Sequence, residues 1–190
     1  MIKRKLVFGV YQRLRIWKYR FISTCKRIEG KPLLAQPAEL SGEGRIVFNG
    51  RVRLGCYPSP FCFNEYIYIE ARKQHSRIEI NDGVWVNNGT VMISEGEGIF
   101  IGEKTLIGTH VEIYDSDFHG LAPDKRMVPG TAATAPVRIG KNVFIGSNAK
   151  VLKGVTIGDN SVLGCGSVVV SSIPANVVAA GVPAKVIKSL

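Results

Sequence analysis

The chain is short of everything from which a metal centre, a disulfide framework or a membrane span is built. Its four cysteines, Cys25, Cys56, Cys62 and Cys165, form no CxxC pair and have no histidine at metal spacing. That speaks against a structural zinc site and leaves thiols that are buried or bystanders. No segment approaches the roughly 18 consecutive apolar residues a spanning helix needs. The longest aliphatic stretch near the start, Leu6 to Val10, is too short for the core of a signal peptide. A cytoplasmic protein is expected. Acidic residues are also scarce, 15 against 25 Lys and Arg, and that shortage is local. Residues 1–31 hold Lys3, Arg4, Lys5, Arg13, Arg15, Lys18, Arg20, Lys26, Arg27 and Lys31 against the single acid Glu29. They therefore carry +9 of the chain's net +10.

Within this basic arm Leu6, Val10, Leu14, Trp17 and Phe21 recur at steps of four and three, so on a helix they share one face, flanked by Arg13, Arg15, Lys18 and Arg20. Two readings stay open. The face packs on the body or a neighbouring subunit, or it lies on an anionic membrane surface, which would make the protein peripheral to the inner face of a membrane. Nucleic acid is a poor partner, because the rest of the chain is nearly neutral and holds no reader motif.

What is present in quantity is a six-residue period. Ile139-Gly140, Ile145-Gly146, Val151-Leu152, Ile157-Gly158 and Leu163-Gly164 follow one another, and Val169 opens the next unit. Val143, Ala149, Val155, Ser161 and Ser167 fill the fifth place of each unit. Both places point inward. A helix wants an apolar return every 3.6 residues and a simple strand every second; a strict six fits a short strand plus a turn, three units making one coil of a parallel β-helix. The same register recurs at Ile101, Ile107 and Ile113, and earlier at Ile80, Val86 and Met92. Residues 32–79 alternate in short runs and read as irregular first coils of one domain over 32–190. Two breaks interrupt the period: an enlarged turn around Ser94-Glu95-Gly96-Glu97-Gly98, and a loop over 114–136 that holds three prolines. Long loops inside a compact repeat tend to be functional.

The run Ile139-Gly140-Lys141-Asn142-Val143-Phe144-Ile145-Gly146-Ser147, then Gly154-Val155-Thr156-Ile157-Gly158-Asp159-Asn160-Ser161-Val162, closed by Val178-Ala179-Ala180-Gly181-Val182-Pro183-Ala184-Lys185-Val186-Ile187, resembles the hexapeptide-repeat acyltransferases. It is most similar to the galactoside, maltose and O-antigen or capsular-sugar O-acetyltransferase group. The resemblance runs from about residue 78 to the end. It implies an all-β, left-handed parallel β-helix, a homotrimer with active sites between subunits, acetyl-CoA as donor with no metal, and a sugar or glycan as acceptor. The left hand rests on the resemblance alone, since parallel crossovers are ordinarily right-handed.

Transfer from a thioester to a hydroxyl needs a base for the hydroxyl proton and donors for the oxyanion of the tetrahedral intermediate. The histidines are His75, His110 and His119. The resemblance places His119, in Asp-Ser-Asp-Phe-His-Gly, where sugar acetyltransferases keep their catalytic histidine; His110 at a coil corner and His75 in a charged stretch read as surface residues. Asp115 and Asp117 either orient the ring or hold a sugar hydroxyl, or serve as turn residues. The resemblance further assigns the Ser147 N–H to the oxyanion near the thioester. It sets Asn88 against the acceptor and thioester across the subunit boundary, the alternative being an Asn ladder at a coil corner, and it counts Glu95 as a sugar ligand. It runs the pantetheine arm past Ser147, Cys165, Val170 and Ser171, and sets Lys185 and Lys188 against the CoA phosphates. Cys165 stands where Ala is usual, Val170-Ser171 where Thr-Lys is common, and both lysines where Arg is found, so the phosphates would lose a bidentate fork. The acceptor alternatives are a nucleotide-linked amino sugar, acetylated on nitrogen, and no acceptor at all in a non-catalytic trimeric scaffold. A zinc carbonic anhydrase of related shape is disfavoured, because it needs two histidines five residues apart.

Overall fold

Each six-residue unit becomes one side of a triangular prism. The computed structural model describes residues 2–190, with side chains from Gly9 onward. After the helix Ile2–Ile22, the chain winds through short strands that stack into three sheets. The first face runs from Arg27–Glu29 through Arg45–Phe48, Arg77–Ile80, Ile99–Ile101 and Val137–Ile139 to Thr156–Ile157. The second runs from Leu33–Leu34 through Arg53–Leu54, Trp85–Val86, Leu106–Ile107, Phe144–Ile145 and Val162–Leu163 to Val177–Gly181. The third runs from Ala38–Ser41 through Ile67–Ala71, Val91–Ser94, Glu112–Tyr114 and Lys150–Val151 to Val168–Val169. Pairing within these stacks is parallel. Among the described strands, the closing one, Ala184–Ser189, folds back antiparallel on Val177–Gly181. The Gly-Val-Pro segment is the turn of that hairpin.

Register follows from the period. On the first face Phe48, Ile80, Ile101, Ile139 and Ile157 lie one above another. Leu54, Val86, Ile107, Ile145 and Leu163 do so on the second, and Ile69, Met92, Ile113, Val151 and Val169 on the third. None of these is more than 4% exposed, so the core is three aliphatic columns meeting along the axis. The fifth-place residues Val143, Ala149, Val155, Ser161 and Ser167 fill the corners between columns and are buried. At the corner between first and second faces Asn142, Asn160 and Asn176 adopt positive φ, which Asn tolerates better than most residues. Their amides form a ladder: Asn142 Nδ2 donates to Asn160 Oδ1 at 3.0 Å, and Asn160 Nδ2 to Asn176 Oδ1 at 2.8 Å.

One boundary shifts from the sequence reading, and one alternative it left open is narrowed. The helix ends at Ile22 and Arg27–Glu29 already pairs with Arg45–Val47, so the first coil begins inside the stretch read as arm. The helix also meets the body through polar residues, not through its apolar stripe: Gln12 Nε2 donates to the carbonyls of Ala35 and Cys62, both at 3.0 Å. Burying a glutamine is tolerable because two backbone carbonyls satisfy it.

Candidate functional site

Departures from the period gather on two edges of the prism. Where the third face turns into the first, 72–76, the enlarged turn 95–98 and the loop 115–136 sit on successive coils. Where the second turns into the third, a further excursion spans 55–66.

The first of these edges is organised by Asp115. Its side chain is fully buried and accepts from Ser94 Oγ at 2.7 Å, Glu95 N at 2.7 Å, Gly96 N at 3.1 Å and Gly98 N at 2.9 Å. A carboxylate can be buried without a cation when several donors converge on it. Here it welds the enlarged turn to the base of the loop. The base is closed by Ser116 bridging Thr134 and by the Ala135 N–H donating to the Asp115 carbonyl at 2.9 Å. Gly96 is required at that junction, because a Cβ there would lie 2.4 Å from Thr134 Cβ. Glu95 accepts from Ser116 Oγ at 2.9 Å and pairs with Lys73 at 3.4 Å. Asp117 pairs with Lys153 at 3.2 Å through one oxygen, while its other oxygen is buried and has no partner among the described residues. Tyr114, whose phenol donates to Glu112, has its pKa pushed up to about 12 by burial and by that carboxylate.

His119 stands beyond this hub, exposed, and neither aspartate touches it. Its Nδ1 lies 3.1 Å from the Arg126 carbonyl. A carbonyl only accepts, so in the neutral ring Nδ1 carries the proton and Nε2 has the lone pair. The expectation that Asp115 orients the ring or holds a sugar hydroxyl is therefore corrected. A buried carboxylate committed to four donors has nothing left to offer either group. The loop's tip bears Leu121, Met127 and Val128, all exposed.

The other edge carries Asn88, Ser147 and Cys165. Asn88 is fully buried: its Nδ2 donates to the carbonyls of Cys56 at 3.0 Å and Pro60 at 2.7 Å, and its Oδ1 accepts from Cys56 N at 3.0 Å. The side chain clamps the 55–66 excursion to its corner, and the Asn ladder lies at a different corner. His110 supports the same excursion, contacting Glu65 and packing on Phe61 with ring centroids 4.1 Å apart. We expect Asn88→Ala to lower stability by about 2–4 kcal/mol, measured by urea unfolding; unchanged stability would remove the clamp. Ser147 Oγ lies 3.0 Å from Thr109 Oγ1, and its N–H meets no acceptor among the described residues. Cys165 is exposed.

The residues expected along the cofactor divide between these edges. Cys165 and Ser147 share the second-to-third edge, whereas the exposed Val170 and Ser171 share the loop's edge, and the exposed Lys185 and Lys188 lie on the closing strand. The loop's hydrogen bonds run within itself or to its own edge. One protomer therefore does not bring His119 to Ser147. Sequence reasoning missed Lys73, Ser116 and Lys153, which gain partners only when successive coils stack, and the Arg126 carbonyl, which has no side-chain signature.

Residues 136–171 match the profile of the hexapeptide repeat of succinyl-transferase. A Saccharomyces cerevisiae protein that is an acetyltransferase by name is 41% identical over 154 residues, covering 81% of this chain and 74% of its own length. The chain belongs to the hexapeptide-repeat acetyltransferases. Within that family, galactoside O-acetyltransferase of Escherichia coli is 39% identical over 115 residues, 60% of this chain, and the chain spans only 55% of that relative. Among solved structures, a hexapeptide-repeat acetyltransferase of Vibrio cholerae complexed with acetyl-CoA is 29% identical, with a TM-score of 0.57 over 76% of this chain and 70% of that one. The three parallel sheets and this family are consistent with the left-handed coil that the resemblance implies.

Proposed function

We propose that this acetyltransferase moves an acetyl group from acetyl-CoA directly to a sugar hydroxyl of a cell-surface polysaccharide or its precursor. It works as a homotrimer on the cytoplasmic side. The observation that carries the reading is the orientation of His119: with Nδ1–H held by the Arg126 carbonyl, Nε2 is the free base. Nε2 takes the hydroxyl proton as the oxygen attacks the thioester carbonyl. The Ser147 N–H donates to the oxyanion; on collapse the C–S bond breaks and the CoA thiolate takes the proton back from the imidazolium. A sugar hydroxyl would be held on the loop's edge, where Glu95 and Asp117 lie. Acetyl-CoA would run between subunits, past Cys165 and Ser147 of one and Val170 and Ser171 of the next, with Lys185 and Lys188 toward its phosphates. Pairing the loop's edge of one subunit with the other edge of its neighbour supports the trimer, because it unites residues that one chain keeps apart.

Acetyl-CoA turnover over a panel of sugar and amino-sugar acceptors, read as free CoA, tests the reaction. Turnover confined to amines would overturn the hydroxyl acceptor. Subunit mixing tests the shared site. His119→Ala and Cys165→Trp are each expected to be inactive alone, and randomly assorted mixed trimers to recover about a quarter of wild-type activity. Absence of recovery would place the whole site within one subunit.

A further inference from the structure

The helix Ile2–Ile22 is held so that its apolar stripe points away from the protein. At about 100° per residue, Gln12, Arg15 and Tyr19 lie on one side of the helix, and Val10, Leu14, Trp17 and Phe21 on the opposite side. The first set is the attachment. Gln12 is buried on the Ala35 and Cys62 carbonyls, Arg15 donates to the carbonyls of Cys62 and Glu65, and Tyr19 stacks on Tyr66 with centroids 4.5 Å apart. The second set is left outside: Val10 is 53% exposed, Leu14 63%, Trp17 69% and Phe21 80%. A groove of about 710 Å³ beside the stripe continues the apolar surface to Pro32 and Leu33. Four large apolar side chains presented together by an anchored helix call for an occupant.

Charge identifies it. Arg13 and Arg20 flank the stripe on one side and Lys18 on the other, and all three are exposed. Lys26, Arg27 and Lys31 follow, also exposed. The arm's single acid, Glu29, is already paired with Arg45 at 2.6 Å. A second copy of this chain would bring an equally positive arm and a nearly neutral body, so it offers the flanking cations no excess of negative charge. A planar surface with acyl chains below and negative headgroups above satisfies both halves of the pattern.

We propose that this helix lies in the interface of an anionic phospholipid bilayer, inserting Trp17, Phe21, Leu14 and Val10 between headgroups while Arg13, Lys18 and Arg20 pair with phosphates. The Gln12, Arg15 and Tyr19 contacts keep the body attached on the water side. No helix among the described residues is long and apolar enough to cross a membrane, so the contact is peripheral. Taken with the proposed reaction, this placement makes a lipid-linked glycan the acceptor.

The test is flotation of the full-length protein with vesicles of phosphatidylcholine alone or mixed with phosphatidylglycerol. Wild type is expected to float with the mixed vesicles only, and less so at high salt. Trp17→Glu with Phe21→Glu should abolish flotation, and Arg13→Gln with Lys18→Gln and Arg20→Gln should lower partitioning by on the order of 100-fold. Both variants should keep the wild-type melting profile and light-scattering mass, since the changed residues lie off the attachment side. Wild type that fails to float, that floats equally with neutral vesicles, or whose variants float unchanged would overturn the proposal. A fall in mass for the Trp17 and Phe21 variant would do the same by making the stripe a subunit contact. Flotation does not read turnover, so failure of the acetyl-transfer reading would leave its result standing.

Discussion

Replacing His119 by alanine is expected to lower kcat for acetyl transfer by about 10²- to 10⁴-fold, the usual contribution of a positioned general base. Stability should be untouched. The ring is exposed and its one hydrogen bond runs to the carbonyl of Arg126 seven residues on, within a loop whose base is closed elsewhere, by Ser116 and Thr134. CoA release and a thermal melt on the same preparation separate the two effects. Wild-type turnover in His119→Ala would remove the base role, whereas lost turnover with a lowered melting temperature would mean that the loop had been damaged instead.

The second large effect is expected at Asp115 and has the opposite character. Asp115→Ala strips a buried acceptor from Ser94 Oγ and from the N–H groups of Glu95, Gly96 and Gly98, leaving donors that water cannot readily reach. Removing one partner of a buried charge-assisted set costs about 3–5 kcal/mol. For a chain of this size that is a fall in Tm of about 10 °C. Turnover should fall as well, because the turn holding Glu95 and the base of the His119 loop lose their common anchor. Asp117→Ala is the comparison. Its ion pair with Lys153 is partly exposed, and such pairs contribute about 0–1 kcal/mol, so its Tm should scarcely move. Equal melting of the two variants would show that Asp115 is not the anchor.

These contrasts show what could be read from residues in order and what could not. The period predicted the aliphatic columns, because any six-residue unit repeated in register places the same position on the axis in every coil. His119 stood out by the motif around it, and its exposure on the loop suits a reacting group. Asp115, four residues earlier in the same motif, looked equally chemical and is buried. The difference lies in Ser94 to Gly98, one coil away, whose N–H groups converge on the Asp115 carboxylate. Asn88 was weighed between ligand and ladder, and within one protomer its side chain is a clamp; its partners, Cys56 and Pro60, belong to an excursion that irregular alternation had concealed. The helical stripe was recognised from its spacing, but spacing cannot say which side is used. The attachment through Gln12 and Arg15 depends on carbonyls of Cys62 and Glu65, some 50 residues downstream.

The sequence by itself determined the coil, its inward positions and the two largest departures from the period near Glu95 and over 114–136, since each follows from a local repeat or its interruption. Only the tertiary structure decided which polar residue became an anchor and which stayed free, and that the helix turns its apolar side outward. Those outcomes rest on hydrogen bonds between coils and between distant segments. The separation of His119 from Ser147 is likewise tertiary: the two project from different edges of the prism, and no winding of a single coil brings those edges together.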